Sequence, residues 1–165
     1  MIELLVIDVD GTLTDGKIIY SNSGEELKNF HVRDGFAIVY WTKQIGKKAA
    51  IITGRNSKIV ENRAKELGFQ YCVQGVKDKL AALEEILKKE NLTFANVAVI
   101  GDDLNDLSMM EHAKLSFCPS DASEYILDTA KIVSKYKGGE GAVREMIEYV
   151  LRYQDMEEEF ISRWV

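Results

Sequence analysis

The sequence contains little cysteine: two residues, Cys72 and Cys118, in a chain of 165. Their spacing does not match that of zinc ligands, and two cysteines are too few for a disulfide framework in a chain of this length. We therefore interpret both as reduced residues with a structural role. This interpretation favours a cytoplasmic location.

The sequence also lacks an apolar run near the roughly 20 residues that a membrane-spanning helix needs, and no basic stretch precedes a short apolar core at the N-terminus. Neither export nor membrane anchoring is expected. An excess of positive charge is absent as well, because 27 acidic residues against 21 basic ones give a net charge of −6. This charge disfavours sequence-independent binding to nucleic acid or to anionic membranes, and it favours small-molecule chemistry or a protein partner.

The length of the chain suits one well-packed domain, which we expect over residues 1–165. Short apolar runs alternate with longer amphipathic segments, and no internal repeat or linker interrupts them. This alternation predicts the α/β class, with a doubly wound parallel sheet and helices on both of its faces. The predicted strands are LLVID near the start, AAIIT around Ile51, YCV at Tyr71, VAVIG at Val97, LSF at Leu115 and KIV at Lys131.

The predicted helices are recognised by their capping residues. Asp34 is the expected N-cap of GFAIVYWTKQI, and Asn56 or Ser57 that of KIVENRAKEL; two more helices are expected over DKLAALEEILKKE and AVREMIEYVLRY. Residues 16–33 differ, because two β-like flanks surround a polar SNSGEE turn, which predicts a projecting hairpin. The tail, about residues 153–165, is charged with aromatic residues near its end, and the sequence leaves its order open.

Acidic and polar residues follow the predicted strands, where ligands bind in an open α/β sheet. They are Asp8 and Asp10, then Thr53, Gly54 and Arg55, then Lys79, and finally Asp102, Asp103 and Asp106. Carboxylates this close repel each other, which predicts a divalent cation, and Mg²⁺ suits because it takes few protein ligands and bridges to phosphate. One aspartate near Lys79 could attack phosphorus to form an aspartyl-phosphate, while a second protonates the leaving oxygen.

Four segments carry a family resemblance. DVDGTLTD, ITGR, the lysine of GVKDK, and IGDDLND, in that order, resemble the motifs of the haloacid dehalogenase (HAD) superfamily, most of whose members are magnesium-dependent phosphatases. DGKIIYSNSGEELKNFHVRDG and GGEGAVRE narrow the resemblance to the 3-deoxy-D-manno-octulosonate (KDO) 8-phosphate phosphatases and their sialic-acid-type relatives. The resemblance implies a Rossmann-like HAD core and hydrolysis of KDO 8-phosphate, with a sialic-acid-type 9-phosphate as the alternative substrate.

The same resemblance implies a role for individual residues. Asp8 would be the nucleophile, Asp10 the general acid and base, and Thr53 and Lys79 would hold the phosphoryl group. Mg²⁺ would be bound by Asp8, the main-chain carbonyl of Asp10, and Asp102. The substrate-contacting positions would be His31, Val32, Arg33, Asp34, Gly35, Arg55, Arg63 and Asn105. Asp103 and Asp106 are expected to lie next to the metal ligands and hold them in place, without binding Mg²⁺ themselves.

Two features differ from the family pattern. Some members carry an arginine where this chain has Val39. Others end in a short Gly-containing tail that covers an active site, whereas this chain ends in FISRWV. Both differences concern the identity of the sugar more than the chemistry.

The chain has no room for an inserted cap domain, since residues 10–34 accommodate only a hairpin and residues 53–102 are filled by the core. A phosphoaspartate intermediate nevertheless needs a site shielded from bulk water. We therefore expect neighbouring subunits to close each other's sites, as in the resembling family, which forms a homotetramer.

Each motif also has a purely structural alternative. Asp8 and Asp10 could satisfy backbone donors in a turn, Thr53 could cap a helix, and Lys79 could be a solvated helix charge. One of Asp102 and Asp103 is expected to be an N-cap in addition to any other role. Arg55 and Arg63, placed eight residues apart on one helix face, could form surface salt bridges instead of contacting substrate.

Two other classes of function compete with a phosphatase. A phospho-receiver domain also uses clustered acids, magnesium, a threonine and a lysine, but its motif order differs from the order found here. A non-catalytic interaction module could share the fold, although every expected catalytic side chain is present. Within the enzyme class, phosphoryl transfer to a second sugar remains open, and Asp10 as a general base favours water.

Overall fold

The apolar runs form strands whose alternate residues enter two separate core layers. The computed structural model describes all 165 residues, Met1–Val165. In strand β1 (Leu4–Ile7), the odd-numbered residues pack on one face of the sheet and the even-numbered ones on the other. All four are fully buried, as expected for a strand covered on both faces.

Six parallel strands form the main sheet, which confirms the predicted α/β class and all six predicted strands. Two further strands, β2 (Ile19–Tyr20) and β3 (Glu26–Leu27), pair antiparallel and confirm the hairpin. The other strands of the main sheet are β4 (Lys48–Ile52), β5 (Tyr71–Val73), β6 (Val97–Ile100), β7 (Leu115–Cys118) and β8 (Ile132–Val133). Their order is β5-β4-β1-β6-β7-β8. Strand β1 therefore lies between β4 and β6, at the point where the order of the strands in the sheet reverses.

Helices cover both faces of this sheet, which completes the doubly wound architecture. Helices α1 (Val32–Val39), α2 (Lys58–Leu67) and α6 (Ala142–Tyr153) pack on the face that holds the odd-numbered residues of β1. Helices α3 (Lys79–Glu90), α4 (Leu107–His112) and α5 (Glu124–Thr129) pack on the opposite face. None of the helices combines the length and apolar composition needed to cross a bilayer.

Helices α2, α3 and α6 match the segments predicted from their capping residues. Of the two candidates for the start of α2, Ser57 occupies the N-cap position. Asp78 caps α3, and its carboxylate accepts a hydrogen bond from the main-chain N–H of Ala81 at 3.0 Å.

The prediction that Asp34 is the N-cap of the first helix is wrong. Helix α1 begins three residues earlier than predicted, at Val32 instead of Gly35, and its N-cap is His31. Asp34 lies in the first turn of α1 and is fully buried, so its carboxylate needs a partner inside the protein. It accepts a hydrogen bond of 2.8 Å from the main-chain N–H of Arg144, in the first turn of α6.

The C-terminal tail is ordered and forms helix α7 (Glu157–Ser162). Phe160 is its buried residue, and its ring lies edge-on to Tyr40 with centroids 4.6 Å apart. Trp164 lies against Phe36 of α1, with centroids 4.8 Å apart. The aromatic residues of the tail thus attach it to the first helix of the same chain.

The loop after β1 is shaped by close contact with a glycine pair. Gly139 donates a hydrogen bond to the carbonyl of Thr12 at 3.0 Å. A Cβ atom on Gly138 would lie 1.8 Å from the carbonyl oxygen of Gly11, so only glycine allows this approach. The GGEG segment before α6 therefore supports the loop that carries the first acidic motif.

Candidate active site

The carboxyl ends of β1 and β6 are adjacent and place Asp8 beside Asp102. The main-chain N–H of Asp8 donates to the carbonyl of Ile100 at 3.1 Å, which extends the pairing of the two strands by one residue. In a sheet of this topology, the crevice at this point is where ligands bind.

A cavity of about 160 Å³ opens at this edge of the sheet. It brings together six of the predicted site residues from three separate segments of the chain, and no apolar side chain lines it. Its lining residues are Asp8, Asp10, Thr53, Gly54, Arg55, Asp102, Asp103 and Asn105.

Lys79 lies beneath the cavity as the first residue of α3, and it is almost completely buried. Its Nζ donates to Oδ1 of Asp8 and to Oδ1 of Asp106, both at 2.6 Å. Burial alone would lower the pKa of Lys79, but these two carboxylates raise it above its usual value. Lys79 is therefore a buried cation fixed beside Asp8, and the alternative of a solvated helix charge does not apply.

Asp8 and Asp102, the two acids at the centre of the site, are not fully neutralised by the positive charge around them. Burial, followed by repulsion from Asp106, raises the pKa of Asp8 well above its usual value, although the charge and hydrogen bond of Lys79 oppose this shift. Burial, followed by repulsion from Asp106, raises the pKa of Asp102 to about 6. A divalent cation bound by oxygen ligands would supply the missing charge.

The carboxylates of Asp8, Asp102 and Asp106 place one oxygen each within 4.8 Å of one another. Asp106 is already occupied: Oδ1 binds Lys79, and Oδ2 accepts from the main-chain N–H groups of Asp102 at 3.1 Å and Asp103 at 3.4 Å. Asp8 and Asp102 are thus the carboxylates available to a cation, and Asp106 orients both Lys79 and the loop that carries Asp102.

The loop that contains Asp10 approaches the same carboxylate. A Cβ atom on Gly11 would lie 2.1 Å from Oδ2 of Asp102, and Gly11 has a φ of 94°. Close approach of the backbone thus requires glycine here. This proximity is compatible with the predicted ligand set of Asp8, the carbonyl of Asp10, and Asp102. Of the adjacent acids, Asp103 is the N-cap of a short 3-10 helix, Leu104–Asp106, since its carboxylate accepts from the N–H of Leu104 at 2.8 Å.

Thr53 follows β4, and its main chain is held on both sides. Its N–H donates to the carbonyl of Val73 at 3.0 Å, and its own carbonyl accepts from Val76 at 3.1 Å. Its hydroxyl makes no hydrogen bond within the chain, and it is not the cap of α2, which begins at Lys58. The hydroxyl is therefore free to donate to a ligand in the cavity.

Asp10 is contacted by the hairpin. Lys28, just after β3, forms a salt bridge with Oδ1 of Asp10, and its Nζ lies 3.4 Å from Glu26. Arg55 donates to Glu26 at 2.8 Å and to the hydroxyl of Tyr20 at 3.3 Å. Lys28 and Glu26 were not predicted as site residues, because the GEELK segment indicated only a hairpin turn and a family resemblance.

The prediction that Arg55 and Arg63 share a helix face is wrong, because Arg55 precedes α2 and Arg63 lies within it. Each forms a salt bridge, Arg55 with Glu26 at 2.8 Å and Arg63 with Glu66 at 2.9 Å. Only Arg55 also lines the cavity.

The segment His31–Gly35 and Arg63 lie outside the cavity, around the start of α1. Val32 and Arg33 are exposed, while Gly35 is buried against the guanidinium of Arg63: a Cβ atom on Gly35 would lie 2.5 Å from Nη2. Within one chain, these residues and the acids of the cavity do not form a common site. Their predicted contact with substrate stays a prediction.

Comparison with known proteins gives three kinds of match. Residues 73–147 match the family model of haloacid dehalogenase-like hydrolases. The chain is 45% identical over 154 residues to 3-deoxy-D-manno-octulosonate 8-phosphate phosphatase KdsC of Escherichia coli, covering 93% of this chain and 81% of that protein. The Yersinia pestis protein of the same name is 46% identical over 155 residues, covering 93% and 82%.

Solved structures agree with these sequence matches. The 3-deoxy-D-manno-octulosonate 8-phosphate phosphatase of Moraxella catarrhalis, in complex with a magnesium ion, a phosphate ion and KDO, superposes with a TM-score of 0.96. It is 41% identical, and the match covers 99% of this chain and 94% of that one.

Proposed function

Because the chain belongs to the family of KDO 8-phosphate phosphatases within the HAD-like hydrolases, we propose that it hydrolyses KDO 8-phosphate to KDO and inorganic phosphate, with Mg²⁺ as cofactor. The observation that carries this proposal is the pairing of Asp8 with the buried Lys79 at 2.6 Å, beside Asp102, in a cavity lined only by polar residues and glycine. The Moraxella relative that holds magnesium, phosphate and KDO supports the same substrate and metal.

In the first step, a carboxylate oxygen of Asp8 attacks phosphorus. The new bond between Asp8 and phosphorus forms as the bond from phosphorus to the sugar oxygen breaks, and the leaving oxygen takes a proton from Asp10. Lys79 and the free hydroxyl of Thr53 hold the phosphoryl oxygens during the transfer. The ammonium group of Lys79 and the main chain of Thr53 are held by contacts inside the protein, so the two residues need little reorganisation when negative charge shifts.

In the second step, a water molecule attacks the phosphorus of the aspartyl-phosphate. The water gives a proton to Asp10, the bond between Asp8 and phosphorus breaks, and inorganic phosphate leaves. Asp8 returns as a carboxylate and Asp10 as a carboxylic acid, so that the site is ready for another cycle.

Asp8 and Asp102 would hold the Mg²⁺ ion, together with the main-chain carbonyl of Asp10. The ion, when bound, neutralises charge on the phosphoryl oxygens and on the clustered carboxylates. Asp106 keeps both Lys79 and the Asp102 loop in position.

Arginine would recognise the carboxylate and the sugar of the substrate, because its planar guanidinium group can donate to both carboxylate oxygens. Arg55 and Asn105 line the cavity of the same chain. The segment His31–Gly35 and Arg63 would act in the site of a neighbouring copy, within a homotetramer whose subunits cover each other's sites. This arrangement explains how residues outside the cavity could contact substrate.

The same proposal treats residues 1–165 as one domain and places the enzyme in the cytoplasm. The unpaired state of Cys72 and Cys118 supports that location.

Phosphate release from purified protein tests the function. The panel contains KDO 8-phosphate, N-acylneuraminate and KDN 9-phosphates, and common hexose phosphates, each with Mg²⁺ and with excess chelator. We expect metal-dependent turnover with the highest kcat/KM on KDO 8-phosphate. A preference for a 9-phosphate would show that the substrate is a sialic-acid-type sugar phosphate, while the proposed reaction would stand. If folded, Mg²⁺-loaded protein hydrolysed none of the compounds, the result would contradict the proposal and favour an interaction module.

A further inference from the structure

Lys28 is a buried cation that belongs to neither the metal site nor the phosphoryl site. Its side chain is 1% exposed, and its Nζ contacts Oδ1 of Asp10 and lies 3.4 Å from Glu26. Burying an ammonium group is unfavourable unless the group is paired, and here two carboxylates pair it. The position of Lys28 is therefore determined by these acids, and Asp10 in turn is held by Lys28.

The two oxygens of Asp10 have different surroundings. Oδ1 accepts from Lys28, whereas Oδ2 has no hydrogen-bond donor within the chain and lies 3.9 Å from Nε of Arg55. A carboxyl group that exchanges a proton with a reacting oxygen needs one oxygen free and a fixed orientation. The contact with Lys28 provides both, because it occupies one oxygen and directs the other.

Lys28 reaches Asp10 only because the stem of the hairpin is attached to the loop after β1. Thr14 and Phe30 form an antiparallel bridge, and the amide of Asn29 donates to Asp15 at 2.8 Å. These contacts join residues that follow the DxD motif to the two residues that directly follow Lys28. The hairpin is thus anchored where its lysine meets the acid.

We propose that Lys28 is a positioning residue for the reaction, which acts by fixing the carboxyl group of Asp10 for proton transfer to the leaving oxygen. The inference rests on the proposed function of Asp10. It makes the hairpin part of the proton-transfer apparatus in addition to any role as a cover. Proton transfer by a positioned acid contributes on the order of 10² to 10⁴ in rate, and misplacing that acid forfeits part of this factor.

The test compares Lys28→Met with Lys17→Met, a lysine on the same hairpin whose side chain is 73% exposed and contacts only Asp15, at 3.7 Å. The substrates are the best alkyl phosphate of the panel above and p-nitrophenyl phosphate, whose leaving group departs without a proton. We expect Lys28→Met to lower kcat on the alkyl phosphate by about 10- to 100-fold, with KM changed less than about threefold. Lys17→Met should match the wild type.

The leaving group separates positioning from general structural damage. In a single turnover, Lys28→Met should release the first p-nitrophenol at a rate within about threefold of the wild type, because that step needs no acid. Lys28→Arg keeps the cation and should recover most of the alkyl-phosphate rate. The double variant Glu26→Gln/Lys28→Met removes one charge of each sign, and it should fold and remain slow if the single variant folds poorly.

Two results would overturn the inference: an unchanged kcat of Lys28→Met on the alkyl phosphate, or an equal loss in the single-turnover rate of leaving-group release on both substrates by well-folded variants. Failure of the proposed function appears separately, as absent turnover of KDO 8-phosphate by the wild type. The ratio of variant to wild type on whichever alkyl phosphate is hydrolysed still decides the role of Lys28.

Discussion

At the scale of single residues, the proposed role of Asp8 as the nucleophile can be tested separately from its contribution to folding. Replacing Asp8 by asparagine removes the attacking oxygen but keeps an amide oxygen that accepts from Lys79. Since burial and Asp106 raise the pKa of Asp8 well above its usual value, a neutral side chain suits this position. Asp8→Asn should lower turnover by at least about 10³-fold, with a free energy of unfolding within about 1 kcal/mol of the wild type.

Phosphate release and urea denaturation measure these two effects. Asp128→Asn, on the exposed surface of α5, is the matched control and should behave like the wild type in both. Near-normal turnover of Asp8→Asn would contradict the mechanism, whereas loss of the fold would show that the acid has a structural role as well.

The buried carboxyl group of Asp34 should give stability a recognisable pH dependence. Burial raises its pKa above the ordinary value of 3.8, and hydrogen bonding by Arg144 only partly opposes this shift. A raised pKa means that the folded protein holds the proton more tightly, so this contribution to stability is present below the ordinary pKa and is lost as pH rises through the folded-state pKa. Asp34→Asn should therefore gain stability relative to the wild type as pH rises above the ordinary pKa of 3.8.

Urea denaturation of both proteins at several pH values measures this difference. Glu90→Gln provides a control of opposite sign, because hydrogen bonds from Tyr71 and Lys48 lower the pKa of Glu90. That variant should lose stability relative to the wild type as pH rises through the acidic range. A stability difference for Asp34→Asn that does not change with pH would show that its carboxyl group is not strained by burial.

Site residues could be identified from the sequence where a short motif follows a strand, and less well where a partner is distant in the chain. Asp8, Thr53 and Asp102 follow apolar runs whose carboxyl ends must meet at one edge of the sheet, so their convergence in one cavity was predictable. The contact of Lys28 with Asp10 depends on the direction in which the hairpin folds back, and no periodicity encodes that direction. Asp34 was predicted to be the N-cap of α1 and not a buried residue of its first turn, because its partner, Arg144, lies 110 residues away.

At the scale of elements, the strands were predictable and the tail was not. Short apolar runs such as VAVIG are typical of strands that are buried on both faces, and for this reason all six strands could be predicted. The tail is charged, and its order depends on whether one aromatic residue finds a partner. The ring of Phe160 packs against Tyr40 and Phe36, with centroid distances of 4.6 Å and 6.2 Å. The guanidinium of Arg144 lies 5.0 Å from the centroid of the same ring.

Helix α7 should therefore contribute to stability without contributing to catalysis. Phe160→Ala removes a nearly buried ring and should lower the free energy of unfolding by about 3 kcal/mol. No residue of α7 lines the cavity, so turnover per folded molecule should not change. Ile161→Ala, on the exposed side of the same helix, should change stability by less than about 0.5 kcal/mol. Denaturation and phosphate release measure both, and a fall in kcat for Phe160→Ala would show that the tail reaches a catalytic site.

At the scale of the whole molecule, the proposed homotetramer would account for the separation of the predicted substrate residues from the cavity. Apolar side chains are exposed on the hairpin and at the start of α1, among them Leu27 and Val32, the latter 79% exposed. Exposed apolar side chains that cluster beside predicted functional residues are typical of an interface. The sequence could suggest a tetramer from the missing cap domain, but it could not locate the contact surface.

The wild type should accordingly be a tetramer of 18.7 kDa chains by light scattering. Val32 is the first residue of α1, where an acidic side chain favours the helix dipole, so Val32→Glu should leave the isolated subunit stable while placing charge in the interface. We expect smaller assemblies and a raised KM for the sugar-acid phosphate. Tyr125→Glu, in the first turn of α5 on the opposite face of the sheet, is the matched control and should remain tetrameric. A wild-type monomer with full activity would contradict the shared site and assign substrate recognition to Arg55 and Asn105 of a single chain.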